Sequence, residues 1–156
     1  MVSPELLRRY AFFADFSYQE IKALAVAGEE KMVDTGQLLF AEGAAAEHLY
    51  FLIDGEVEIL LEVNEGQARH VPLSTIPPGE LIGWSALVEP RLFTASARAT
   101  RPSRLIAFNA VGLEQDMVGQ PHLCNLLLRK VVQVLSHRLK DTRIQLLSLA
   151  MPSTGG

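Results

Sequence analysis

Gly83-Trp84-Ser85-Ala86-Leu87-Val88-Glu89-Pro90-Arg91-Leu92-Phe93-Thr94-Ala95-Ser96-Ala97-Arg98-Ala99 carries the strongest architectural signal in this 156-residue chain. Gly83 suits a sharp turn that needs φ > 0 or the lack of a Cβ. Ser85-Ala86-Leu87 can open a short helix, whose free N–H groups attract anions by geometry and dipole. Residues 94–99 then read as a short strand, with the Thr94 hydroxyl and the small Ala95 at its start and Arg98 turned to the solvent side.

Moving outward, segments rich in β-branched and aromatic residues recur at 31–34, 38–41, 49–53, 56–62, 70–74, 94–99 and 103–108. Gly36, Gly43, Gly55, Gly66, Pro77-Pro78-Gly79 and Pro102 punctuate them. Many short strands at regular spacing predict a mainly-β barrel or jelly roll over residues 30–109. Asn64-Glu65-Gly66-Gln67 is the expected hairpin tip. Residues 4–28 have a helical period: Leu6, Leu7, Tyr10 and Phe13 share one face, and Asp15 or Ser17 can cap a second helix containing Ile21, Leu24 and Ala25. One domain over residues 1–150 with a loose tail at 151–156 is the expected organisation.

The run 83–99 resembles the phosphate-binding cassette of cyclic-nucleotide-binding domains, as in Crp/Fnr-type regulators and the regulatory subunits of protein kinase A. Gly36-Gln37-Leu38-Leu39-Phe40-Ala41-Glu42-Gly43 and His48-Leu49-Tyr50-Phe51-Leu52-Ile53-Asp54-Gly55-Glu56-Val57 extend the resemblance to nearly the whole chain. It implies a jelly-roll barrel with helical ends. It also implies a ligand site at Gly83, Trp84, Ser85, Ala86, Leu87, Arg91, Phe93, Thr94 and Ala95, with Thr142 and Arg143 reaching in from the C-terminal helix. In the family a Glu holds a ribose hydroxyl and an Arg neutralises the cyclic phosphate. Those two positions are Trp84 and Phe93 here. Indole donates hydrogen bonds but accepts none, and a buried charge left without its partner costs about 3–5 kcal/mol. Cyclic AMP and cyclic GMP are therefore expected to bind weakly or not at all. Arg91, two residues before Phe93, could replace the lost cation if that stretch is extended; a surface pairing with Glu89 is the alternative. Gly79-Glu80-Leu81 mimics the start of the cassette but lies four residues too early.

Pro121 to Leu149 forms a continuous helical pattern, about 43 Å long at ~1.5 Å per residue. Leu128, Val132, Leu135, Leu139, Thr142, Leu146 and Leu149 repeat at alternating spacings of four and three, a heptad seam that predicts a homodimer. A second apolar set, Leu127, Val131, Val134, Ile144 and Leu147, can pack on the barrel. Arg138-Leu139-Lys140-Asp141-Thr142 matches the Crp pattern in which a helix hydroxyl contacts the bound base. Thr142 bonding back to its own helix is the other reading.

The net charge of −4 provides no basic field for nucleic acid or anionic lipid, and no apolar run approaches the roughly 20 residues of a membrane span. Met1-Val2-Ser3-Pro4-Glu5 carries no secretion signal, and the single Cys124 cannot form an intrachain disulfide. Both fit a cytoplasmic protein. No His-x-His pair, P-loop, dinucleotide-binding glycine pattern or nucleophile–base pairing is present, so neither enzyme, metal nor cofactor is expected. His122, Cys124 and Met117 are unspecific candidates for haem ligation. No helix–turn–helix follows residue 150, so the expected role is a sensory module with a small-molecule ligand and no direct nucleic-acid contact. A dimerisation module whose pocket is filled by Trp84 and Phe93 is the alternative.

Overall fold

Alternating side chains with one buried face make two sheets that must cover each other. The computed structural model describes residues 1–151; residues 152–156 of the expected tail lie outside them. Its strands are β1 (Gly28–Val33), β2 (Leu38–Phe40), β3 (His48–Asp54), β4 (Val57–Glu65), β5 (Gln67–Ile76), β6 (Leu81–Ile82), β7 (Ser96–Ala99) and β8 (Ser103–Asn109). They form two four-stranded antiparallel sheets, ordered β1-β8-β3-β6 and β2-β7-β4-β5. This is the mainly-β architecture with helical ends that the strand spacing predicts. The expected hairpin closes where Glu65 pairs with Gln67 and Gly66 takes φ 81°.

The N-terminal segment is more broken than its period suggests. Helix α1 (Pro4–Arg8) stops after five residues, a 3-10 turn at Ala11–Phe13 follows, and α2 spans Tyr18–Ala27. Ser17 and Glu20 close α2 with a reciprocal capping box. The break lets Phe12 and Phe13 drop onto β3. Their ring centroids lie 5.1 and 4.9 Å from that of the fully buried Phe51, which joins this cap to the sheet core.

Two further elements differ from the expectation. Strand β6, at Leu81–Ile82, is too short for a period to reveal. Helix α3 (Ala110–Gly119) buries only Ala110 and Leu113, while Val111 and Val118 face solvent. It contains Gly112 and Gly119, so neither propensity nor amphipathicity announces it. Asn109 starts it by accepting the Gly112 N–H at 3.0 Å.

Helix α4 spans Pro121–Ala150. Leu123, Leu127 and Val131 are buried in the core and Val134 is half-buried. Farther along, Ile144 and Leu147 are exposed, which corrects the expectation that both would pack on the barrel. Polar contacts hold the second half of the helix instead. Arg138 Nη2 donates to the Leu81 carbonyl at 2.6 Å, and Gln145 Nε2 donates to the carbonyls of Pro72 and Leu73 at 3.1 and 2.9 Å.

Candidate functional site

The cassette runs from β6 into β7 and is built around Gly83, which has φ 86°. A Cβ there would meet the His48 carbonyl oxygen and Phe93 Cε1, both at 3.3 Å, and Tyr50 Cδ2 at 3.4 Å. Glycine is required by conformation and tightly favoured by space. The helix expected after it is a four-residue 3-10 turn, Trp84–Leu87, with Ser85 and Ala86 buried and Leu87 half-buried. So short a turn aligns too few peptide dipoles to hold an anion by itself.

Phe93 is the residue that the cassette resemblance sets at the phosphate-holding position. It is only 5 % exposed, and its ring stacks on Phe40 with centroids 3.6 Å apart and planes 7° from parallel. Tyr50 continues the stack, 5.9 Å beyond Phe40. Backbone bonds to residues 43 and 44 keep Phe93 in place: its carbonyl accepts from the Gly43 N–H at 2.8 Å and its N–H donates to the Ala44 carbonyl at 2.9 Å.

A cleft beside the stack brings together Gly83, Trp84, Ser85, Phe93, Thr94 and Ala95. Three residues not foreseen complete it: Phe40, Ile59 and Arg138. The remaining volume is about 30 Å³, against roughly 300–1,000 Å³ for ordinary small-molecule pockets. Trp84 is half-buried.

Arg91 is a correction. It is not extended but left-handed, with φ 59°, and does not line the cleft. Its guanidinium bonds to Glu114 of α3 and lies 3.3 Å from Glu89. The Glu114 hydrogen bond, with the charges of both glutamates, holds its pKa above the ordinary value. Thr142 and Arg143 are exposed on α4, and the Thr142 hydroxyl donates to the Arg138 carbonyl at 2.9 Å, the helix-internal reading.

The charge at the cleft comes from Arg138. Burial lowers its pKa to about 10, against the opposing pull of Glu80 and Asp141, so it remains a cation at neutral pH. A signal for it was present in the sequence. Leu127, Val131 and Val134 run at spacings of four and three down the barrel-facing stripe, and the next step of four falls on Arg138.

Elsewhere, His122 Nδ1 lies 2.9 Å from Glu20, a hydrogen bond that ties α4 to α2. No cluster of potential metal ligands occurs among the described residues, and no helix among them is long and apolar enough to cross a membrane.

Comparison with known proteins agrees with this architecture. The chain is 27 % identical over 152 residues to a CRP-like cAMP-activated global transcriptional regulator of Mycobacterium tuberculosis, covering 97 % of this chain and 65 % of that protein. It thus spans just under two thirds of that relative's length. A crystal structure of a Geobacter metallireducens protein classed with the cyclic nucleotide-binding proteins matches at 33 % identity and TM-score 0.76, over 89 % of this chain and 99 % of the other. The N-terminal domain of a Streptomyces coelicolor transcriptional regulator matches at 26 % identity and TM-score 0.65, over 97 % and 99 %. Residues 30–117 match the cyclic nucleotide-binding domain model, and with more than half its length inside that match the chain belongs to the cyclic nucleotide-binding domain family.

Proposed function

We propose that this chain is a regulatory domain whose cassette has lost the charge recognition of a cyclic nucleotide and which signals through α4. One observation supports this reading: Phe93, which the cassette resemblance aligns with the phosphate-holding Arg, is buried and stacked on Phe40. The classical mode through Arg91 is disfavoured by that residue's bond to Glu114. In isothermal titration, cyclic AMP and cyclic GMP are expected to give no saturable heat below about millimolar concentration, after the loss of roughly two to four decades for an unpaired charge. A micromolar dissociation constant for either nucleotide overturns the reading. A module with a permanently filled pocket is the second reading, favoured by the small volume left beside the stack.

The partner of α4 is read as a second copy. Leu128, Val132, Leu139, Leu146 and Leu149 are all exposed on one seam, Leu149 at 85 %. Of the expected apolar set only Leu135 is half-buried, turned partly toward the barrel. Five apolar side chains repeating along one helix face suit a parallel coiled coil. Sedimentation velocity at tens of micromolar is expected to give a dimer, and Leu139→Lys a monomer with unchanged circular dichroism. A monomeric native chain would refute the dimer.

A further inference from the structure

The unpaired charge of Arg138 points to a ligand class. Its Nη2 bonds to the Leu81 carbonyl, and its Nε is buried with no hydrogen-bond partner among the described residues. Glu80 and Asp141 lie near enough to favour the charge, yet Arg138 forms no salt bridge with either. A cation withdrawn from water without a counter-ion is unfavourable, and the planar fork of a guanidinium fits a carboxylate along two parallel N–H groups.

The rest of the cleft restricts the kind of acid. Phe40, Phe93 and Ile59 supply apolar walls, and Thr94 adds one hydroxyl. A single guanidinium balances a single negative charge, and aromatic walls favour a flat ring over a hydrated sugar. The 30 Å³ now free holds about one water, so a ring must displace a side chain. Trp84 is half-buried whereas Phe93 is buried, so turning Trp84 outward uncovers less of the core than moving Phe93.

We propose that the cleft is a binding site for a small apolar monocarboxylate with one aromatic ring, its carboxylate paired with Arg138 and its ring entering as Trp84 turns out. This assignment rests on the reading above that the cassette no longer holds a cyclic phosphate.

Trp84 is the only tryptophan, so its emission reports on the site directly. Titration of the full chain with benzoate is expected to change that emission saturably. Benzamide, which has the same shape but no charge, should bind about 10–100-fold more weakly, the factor for a charge-assisted hydrogen bond. Acetate, which has the charge but no ring, should be weaker too. Arg138→Met should weaken benzoate by the same factor and leave benzamide unchanged. Lack of any saturable response to benzoate at tens of millimolar, where even a weak complex would register, overturns the proposal. So does equal binding of benzoate and benzamide. If Arg138→Met fails to fold, the comparison in the native chain still decides. A micromolar affinity for cyclic AMP would remove the function proposed above, and the benzoate–benzamide ratio would still judge the acid site separately.

Discussion

Phe93→Ala is expected to destabilise the domain by about 3–5 kcal/mol, the usual cost of truncating a buried phenylalanine. The ring is 5 % exposed and contributes one of the closest aromatic contacts in the molecule, with Phe40 at 3.6 Å. It also lies over Gly83, where a Cβ would come within 3.3 Å of it. The backbone bonds of residue 93 to Gly43 and Ala44 survive the change, so the loss measures the side chain and not the turn. Urea denaturation checks the magnitude, and a melting temperature lower by roughly 6–20 °C should accompany it for a chain of this length. A loss below about 1 kcal/mol would mean that Phe93 fills nothing, since even a poorly packed ring costs more than this to remove. The variant also tests function. The space it opens is lined by Phe40 and Ile59, and an apolar engineered cavity takes up benzene. Benzene should therefore restore part of the lost stability in Phe93→Ala and leave the native chain unaffected.

Gly55→Ala should have an effect of similar size for a different reason. Gly55 joins β3 to β4 with φ 98°. A left-handed backbone costs an L residue roughly 1–2 kcal/mol. The added Cβ would also lie 2.3 Å from Ser103 Oγ, 2.6 Å from the Pro102 carbonyl oxygen and 2.6 Å from Ser103 Cα. Two of these atoms are backbone and cannot rotate away, so overpacking adds about 1–3 kcal/mol. The same Ser103 hydroxyl accepts the Glu56 N–H at 3.1 Å and donates to the Arg101 carbonyl at 2.8 Å, bonds that the clash disturbs. A total of about 2–5 kcal/mol follows, read by chemical denaturation. Gly66→Ala is the matched control. Its φ is 81°, but among the described residues beyond its chain neighbours nothing lies within 4 Å of the added Cβ, so only the backbone cost of about 1–2 kcal/mol should appear. Equal losses in the two variants would show that the close approach of residues 102 and 103 does not matter.

Legibility varied along the chain for identifiable reasons. Strands β3 and β8 were evident because each carries several consecutive buried apolar residues between turn signals. The hairpin at Gly66 was evident because its glycine is flanked by turn-forming residues. Helix α3 was not, since a helix burying two side chains and holding two glycines has no period to read. On α4 the heptad spacing was plain, but the division of its faces was not. Leu127 and Val131 are buried while Ile144 and Leu147 are exposed, although Gln145 between those two bonds to β5, so the second half of the helix meets the barrel through a polar side chain.

The cassette shows the same boundary. Gly83 and the short turn after it follow from residue identity and spacing, because turn conformation is a local property, while the resemblance to the family cassette is what sets Trp84 and Phe93 at its two charged positions. Tertiary structure alone decided that Phe93 stacks on Phe40, that Arg91 turns to Glu114 on α3, and that Arg138, turned inward by its place on the α4 stripe, meets this cleft. Those partners lie between 23 and 57 positions apart in sequence. Which of them meet depends on sheet register, on one left-handed residue and on where α4 crosses the barrel. Packing between distant elements sets all three, and no single segment encodes them.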